Sequence, residues 1–330
     1  MATITDVAKA AGVSKTTVSR VLNNTAIVNN ETRAKILRAI DQLQFVPSIN
    51  ARGMRNKTTG IIGVVFPEYL NPFGYEIIQH IEIAAAHRGY HTMITSLGSQ
   101  GDRISRVREL VNRSIDGLAL YCYSIEPEMH GYLYELSEKK RLPLVYFEDY
   151  LLKWPVNIVM TRPGMDILVR GLIERGRRRI GIIAVMCPYV KNGRYIGYQN
   201  ALREAGIEFR EEYVFKADYS LASGYRAGEY FAAMGADMPD AIVSYTDYMA
   251  IGAMNCLQKR GISIPGDVAI AGYDGISMGL YSTPSLTTYK QNFELMGAEI
   301  VNSLLEQLED PGREPMEVML DGELIIREST

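Results

Sequence analysis

Thiols, imidazoles and long apolar runs are scarce in this 330-residue chain, and each scarcity closes off a class of protein. Three cysteines, Cys122, Cys187 and Cys256, are odd in number and widely spaced. That pattern fits a reducing compartment and excludes both a disulfide scaffold and a cysteine-rich zinc site. The four histidines, His80, His87, His91 and His130, form no pair at metal spacing with a carboxylate, and no G-x-x-x-x-G-K-[ST] phosphate loop occurs. No apolar run reaches the roughly 18 residues that a membrane helix needs. The opening MATITDVAKAAGVSK lacks the basic-then-apolar order of a signal peptide. The chain is therefore expected to work in the cytoplasm, with no membrane partner and no metal or other cofactor.

What is present is an ordinary globular composition, 47% hydrophobic and 22% charged, with mean hydropathy -0.05. Three hundred and thirty residues exceed what one core usually serves, so two or more domains are expected. The net charge of -3 conceals an asymmetry. Residues 1–60 hold nine Lys/Arg against three Asp/Glu, a net of +6, while the remainder holds 26 against 35, a net of -9. A basic head on an acidic body suits a head that meets a polyanion.

The head reads as three helices. Thr5 is a candidate cap for a helix beginning at Asp6 and running DVAKAA to Gly12, where a left-handed turn suits glycine. Ser14 caps KTTVSRVLN, whose Val18, Val21 and Leu22 face inward with Val7, Ala8 and Val13. Its outward stripe is Lys15, Thr16, Ser19, Arg20 and Asn23. A third helix, ETRAKILRAIDQLQF, is capped by Asn29 or Asn30 and sets Ile36, Leu37, Ile40 and Leu43 on one face. A helix, a short Gly-containing turn and a second helix with a polar, basic outer face make a helix-turn-helix, whose second helix enters the DNA major groove. Lys15, Thr16 and Arg20 can address base edges; Ser19 and Asn23 can reach phosphates or further bases. An ordinary three-helix bundle with a solvated face stays open on composition alone.

ITDVAKAAGVSKTTVSRVLN resembles the N-terminal signature of the lactose-repressor (LacI/GalR) family of bacterial transcription regulators. ETRAKI, FVPSINARGMR, GIIGVVFPEYLNPF, GRYIGYQNAL, SYTDYMAIGAM, VAIAGYDGI and SLTTYKQNFELMG follow in the order that family shows, across nearly the whole chain. The resemblance implies a helix-turn-helix head at 1–46, a hinge at 47–59 and an effector-binding and dimerisation body at 60–330. The body is expected to have a type I periplasmic-binding-protein-like fold in two lobes. The N-lobe takes about 60–159 and 290–320, the C-lobe about 160–289 and 321–330. It also implies DNA contacts by Thr5, Ser14, Lys15, Thr16, Thr17, Ser19, Arg20, Asn23 and Asn29, and by Ala51, Met54 and Arg55 of the hinge. There Met54 stands where relatives carry a wedging Leu, and a flexible apolar side chain can still pry a base step.

The body's own pattern agrees with a two-lobed α/β fold. GIIGVVFP, HTMITSL, IDGLALY, LPLVYF, VNIVM, IGIIAV, AIVSY and VAIAGYD are short apolar runs alternating with helical segments, which predicts parallel sheets covered by helices. Ligands of such sheets bind at the carboxyl ends of the strands. The resemblance places Asp274 and Arg194 against the effector, Asn71 and Phe73 of an NPF turn beside it, and Tyr121, Glu148, Tyr219, Thr246, Gln291 and Phe293 at further lining positions. For Asp274 and Arg194 an interlobe salt bridge is the alternative. The chain departs from the family at Gly275, where relatives carry a second Asp, at Thr246, where they carry Asn, and at Glu148-Asp149, where they carry Asp-Arg.

These features lead to a sequence-specific DNA-binding regulator, expected to repress a carbohydrate-utilisation operon and not to be an enzyme. It would act as a homodimer on a pseudo-palindromic double-stranded operator, under control of a small-molecule effector, a sugar by expectation. The alternatives are a solute-binding protein without a DNA role and a regulator with a purine- or nucleoside-type corepressor. GISMG (275–279) matches the hydrolase pattern Gly-x-Ser-x-Gly, yet every histidine lies upstream of Ser277, the wrong order for that fold. RGRRR (175–179) precedes a strand and reads as a solvated helix end. The final LIIREST has no trailing leucine heptad, so a dimer rather than a tetramer is expected.

Overall fold

Thr3, and not Thr5, starts the first helix. Thr3 and Asp6 form a reciprocal capping box: the Asp6 amide donates to the Thr3 hydroxyl oxygen, and the Thr3 amide donates to the Asp6 carboxylate at 2.8 Å. Hydrogen bonds from the Thr3 hydroxyl and amide hold the Asp6 carboxyl below its ordinary range. The computed structural model describes residues 2–23, 28–45, 58–67, 72–98, 102–121, 127–147, 156–186 and 192–330. The chain divides into two compact units, Met1–Thr59 and Gly60–Thr330.

In the first unit α1 (Ile4–Ala11) ends at Gly12, left-handed at φ 66°, and α2 (Lys15–Asn23) follows with Ser14 accepting the Thr17 amide at 3.1 Å. Asn29 caps α3 (Asn30–Gln42) by accepting the Glu31 amide at 2.8 Å. Val7, Ala8, Val18, Val21, Ile36 and Ala39 are buried together. Leu37 and Leu43 do not join that face: they are 50% and 36% exposed. Neighbours such as Ile36 and Leu37 lie about 100° apart round a helix, and the small Ala39 packs where a bulkier residue was expected.

The second unit contains two six-stranded sheets. In the first, β1 (Ile61–Phe66), β2 (His91–Ser96), β3 (Gly117–Leu120), β4 (Leu144–Phe147), β5 (Asn157–Thr161) and β11 (Glu317–Leu320) lie in the order β11-β5-β4-β3-β1-β2. In the second, β6 (Ile180–Ala184), β7 (Val214–Lys216), β8 (Ala241–Ser244), β9 (Ala269–Asp274), β10 (Thr287–Lys290) and β12 (Glu323–Ile325) lie in the order β12-β10-β9-β8-β6-β7. All pairings are parallel except that of β10 with β12. The chain passes between the sheets three times: after β5, after β10 and between β11 and β12.

Helices cover both faces. On the first sheet α4 (Pro72–His87) packs beside α12 (Phe293–Glu309), burying Phe73, Ile77, Ile81, Ile300 and Leu304. A separate core of that sheet takes Val107 and Leu110 from α5 (Arg103–Asn112) and Met129 and Leu133 from α6 (Pro127–Tyr134). α7 (Met165–Glu174), α8 (Gly193–Glu204), α9 (Leu221–Ala232) and α10 (Asp247–Lys259) enclose one continuous core around the second sheet. Each fully buried Ile or Phe in these cores contributes roughly 1.5–3 kcal/mol. The arginines of RGRRR are spent on backbone carbonyls, Arg175 on Gly171, Arg177 on Pro265, Arg178 on Ile173 and Arg179 on Ala236. They tie down a helix end and its neighbours. Among the described residues no helix is long and apolar enough to cross a membrane.

Candidate functional site

On the first unit Lys15, Thr16 and Arg20 project from α2 as exposed side chains, and Ser19 is half-buried. A groove-reading helix needs such hydrated donors on its outer face. Thr17 turns back instead, its hydroxyl 2.9 Å from that of Ser14. Ser14 and Asn29 serve as helix caps, and Thr5 is an exposed residue within α1. The side chain of Asn23, and Ala51, Met54 and Arg55 entirely, lie outside the described residues.

On the second unit a cleft opens between the carboxyl ends of the two sheets, where parallel-sheet folds gather their loops. Its lining comprises Tyr121 after β3, Met160 and Thr161 at the end of β5, Pro163, Asn192 to Arg194 at the start of α8, Tyr219, Tyr245 and Thr246 after β8, Tyr273 and Asp274 at the end of β9, and Gln291 after β10. Six predicted positions thus meet: Tyr121, Arg194, Tyr219, Thr246, Asp274 and Gln291. The free space in this cleft is about 50 Å³, room for a few waters.

Asp274 is the hub. Its Oδ1 accepts from Gln291 Nε2 at 2.8 Å and lies 3.6 Å from an Arg194 guanidinium nitrogen. Arg194 also donates to the Tyr245 carbonyl at 2.6 Å and stacks on Tyr273 at 3.9 Å from the ring centre. The fork is therefore fixed by a carbonyl, a carboxylate and a π-face at once. Both charged residues come from the C-terminal sheet and its helices, so their ion pair does not bridge the lobes. Asn192, Tyr219 and Asp274 all hold positive φ, at 52°, 67° and 117°. Such conformations cost on the order of 1–3 kcal/mol each and gather at functional sites.

Gly275 follows from the same turn. At φ +79°, a Cβ there would come within 2.4 Å of Lys290 Cγ and 2.8 Å of its Cα. The second Asp that the family resemblance led one to expect could not be accommodated without moving β10. Behind the turn, buried Asp247 accepts the Gly275 and Ile276 amides at 2.8 Å each and the Thr288 hydroxyl at 2.6 Å. Burial pushes its carboxyl up to about 7, against the pull of those three donors.

Two hydroxyls in the lining have no partner among the described residues, Thr161 Oγ1 and Tyr245 Oη, on residues 8% and 4% exposed. Burial pushes the Tyr245 phenol above its ordinary range, so it stays a neutral O–H. The Tyr195 amide that faces it is already bonded to the Asn192 carbonyl at 2.9 Å. Buried polar atoms are rarely left unpaired, and these two line a cavity.

Phe73 and Phe293 do not line the cleft. Phe73 sits in the first turn of α4, not in an NPF turn, because Pro72 is a favourable first helical residue and the helix begins there. Its ring contacts Tyr121 at 5.2 Å and Phe293 at 5.5 Å, supporting the cleft wall from behind. Phe293 borders a separate groove of about 520 Å³ with His80, Lys290 and Asp321. Asn71 and Glu148 lie outside the described residues. Sequence reading missed Thr161, Asn192, Tyr245 and Tyr273; three of these stand at the carboxyl ends of strands, which is the signal that finds them.

Ser277 of GISMG donates its hydroxyl to Glu76 at 2.6 Å, so its partner is a carboxylate and not a histidine. No group of three His, Cys, Asp or Glu among the described residues could hold a metal ion.

Comparison with known proteins bears on both sites. Residues 3–48 match the family described as bacterial regulatory proteins, lacI family, and residues 169–330 match the periplasmic binding protein-like domain. The HTH-type transcriptional repressor PurR of Photobacterium profundum is 31% identical over 340 residues, covering 100% of this chain and 98% of that protein. PurR of Pectobacterium atrosepticum is 34% identical over 316 residues, covering 93% and 91%. Among solved structures, a transcriptional regulator CelR–cellobiose complex is similar at 30% identity and TM-score 0.74, covering 100% of both chains. The lac repressor dimer bound to operator and the anti-inducer ONPF is similar at 25% identity and TM-score 0.85, covering 100% of this chain and 99% of that one.

Proposed function

Because the chain belongs to the lacI family of bacterial regulatory proteins and is a DNA-binding transcriptional repressor, we propose that its cleft binds a sugar and that this ligand sets its grip on operator DNA. The observation that carries the sugar reading is the chemistry of the lining. Unpartnered hydroxyls of Thr161 and Tyr245 share one cavity with the Asp274–Arg194–Gln291 network and four tyrosine rings. Carboxylate, guanidinium and amide edges with aromatic faces suit a ligand carrying many hydroxyls. A solved relative holds cellobiose. The tyrosine faces also favour a second reading, a nucleobase.

Lys15, Thr16 and Arg20 would read base edges from the major groove, with the basic residues of 47–57 on phosphates. The protein would act in the cytoplasm as a homodimer, which presents two heads to two half-sites of a pseudo-palindromic operator. An exposed apolar group in the body supports a self-association surface: Tyr281 is 81% exposed and Leu280 51%. Ligand and operator would then alter each other's affinity by one common factor. Carbohydrate-utilisation genes would be the targets.

The test is a thermal-shift screen of the full chain against mono- and disaccharides, with purine bases and nucleosides as the second arm. A sugar that binds only the folded state raises Tm, by about 2.7 kcal/mol of stabilisation at a hundred times its Kd. A shift from purines alone replaces the sugar reading.

A further inference from the structure

The cleft lies between the two lobes, so a ligand larger than the roughly 50 Å³ left free there would be admitted as the lobes separate. One short segment resists that separation. Residues 274–277 leave the C-lobe at the end of β9 and enter α11 (Ser277–Leu280). Their C-lobe end is anchored by Asp247, which holds the Gly275 and Ile276 amides. Their far end belongs to the other lobe. Ile276 is 1% exposed and packs in the N-lobe core with Phe73, Ile77 and Phe293. Ser277 then donates both its amide, at 2.9 Å, and its hydroxyl, at 2.6 Å, to Oε1 of Glu76 on α4 of the N-lobe.

We propose that Glu76 and Ser277 form a latch that holds the two lobes in the arrangement seen here and that opening of the cleft must break. The segment is four residues long. Its first member, Asp274, lines the cleft, and its last is gripped across the lobe boundary 201 positions away in sequence. Both donors converge on one carboxylate oxygen, and a charge-assisted pair of this kind is stronger than a neutral bond. The apolar plug of Ile276 fixes the segment beside it. A contact that opening must break biases the equilibrium toward the arrangement that keeps it. Glu76 and Ser277 are thus positioning residues: they set how readily the cleft admits ligand. Its regulatory consequence rests on the reading of the cleft as the effector site, but the latch can be measured with no ligand present.

The experiment is hydrogen–deuterium exchange on the full chain, free of ligand and DNA, for wild type, Glu76→Ala, Ser277→Ala, Ser277→Thr and the Glu76→Ala/Ser277→Ala double variant. Glu76→Ala is expected to speed exchange about five-fold in both 73–81 and 275–281, while 180–184 and 241–244 keep wild-type protection. Ser277→Ala, which retains the amide bond, gives a smaller rise in the same two segments, and Ser277→Thr restores wild-type rates. The double variant matches Glu76→Ala alone, since both serine bonds end on that carboxylate. Unchanged rates, changes confined to the mutated segment, additive effects, or loosening of the sheet strands each overturn the latch. A fruitless sugar screen leaves these rates readable as they are, and unchanged rates leave the sugar reading untouched.

Discussion

Arg20 and Arg194 are the same residue put to opposite uses. Arg20 stands exposed on α2 of the first unit. Arg194, 16% exposed in its side chain, is stacked on Tyr273, paired with Asp274 and bonded to a backbone carbonyl. The contrast runs through both regions. The first unit keeps Lys15, Thr16 and Arg20, the side chains proposed to meet DNA, exposed outside its core, as suits a partner that is a long polyanion met from solution. The second builds its candidate site from groups fixed to one another at strand ends, some in strained backbone conformations, as suits a small molecule recognised by direction. Substitutions should therefore separate: those in the head change DNA affinity without loss of fold, and those in the cleft change ligand response and local order together.

The largest expected effect breaks the head. Arg20→Ala should weaken binding to the chain's own upstream DNA by ten-fold or more, about 1–3 kcal/mol for a lost base contact, with Tm unchanged. Electrophoretic mobility shift measures it, and a loss of less than two-fold removes Arg20 from the interface. Next is the cleft. Asp274→Asn keeps the size of the hub and removes its charge, so the sugar-induced rise in Tm should disappear while DNA binding without ligand stays within a few-fold. Retention of the full rise would show that the carboxylate does not touch the ligand.

A smaller effect sharpens the comparison through pH. Asp247 titrates near 7 in the fold against an ordinary 3.8, so the folded state carries an extra proton between those values. Its contribution to stability is fully present below about pH 4 and is lost as the pH rises through 7. Asp247→Asn should flatten that slope, a difference of a few kcal/mol between pH 4 and 8 in urea unfolding. The amide oxygen of the variant can still accept the Gly275 and Ile276 amides. Equal slopes in wild type and variant would mean that the burial of Asp247 does not govern its titration.

The same contrast explains what could be read in the sequence. Helical periodicity reports which side of a helix is outside, so Lys15, Thr16 and Arg20 were legible before any fold was known. Its resolution is limited: Thr3 and Thr5 are both plausible caps two residues apart, and Ile36 and Leu37 compete for one face. All eight apolar runs became strands, β1 to β6, β8 and β9. The strands β7, β10, β11 and β12 were not anticipated. They are three or four residues long, each with a charged residue at one end, and β7, β11 and β12 sit at sheet edges where one flank needs no apolar cover. In the cleft, Asp274 and Arg194 emerged from a family resemblance, whereas Tyr245 and Thr161 needed the topology, because nothing local marks a hydroxyl at a strand end. Asp247 could not be found locally either: its three donors lie 28 to 41 positions away.

The central claim is that a ligand in the body alters the grip of the head on DNA. Its most direct test measures the Kd of the full chain for its upstream operator with and without saturating amounts of the compound giving the largest thermal shift. The account predicts a change of roughly 5- to 150-fold, matched by the same factor in the compound's own affinity when operator is present. Operator affinity that is identical with and without a compound shown to occupy the cleft would contradict it.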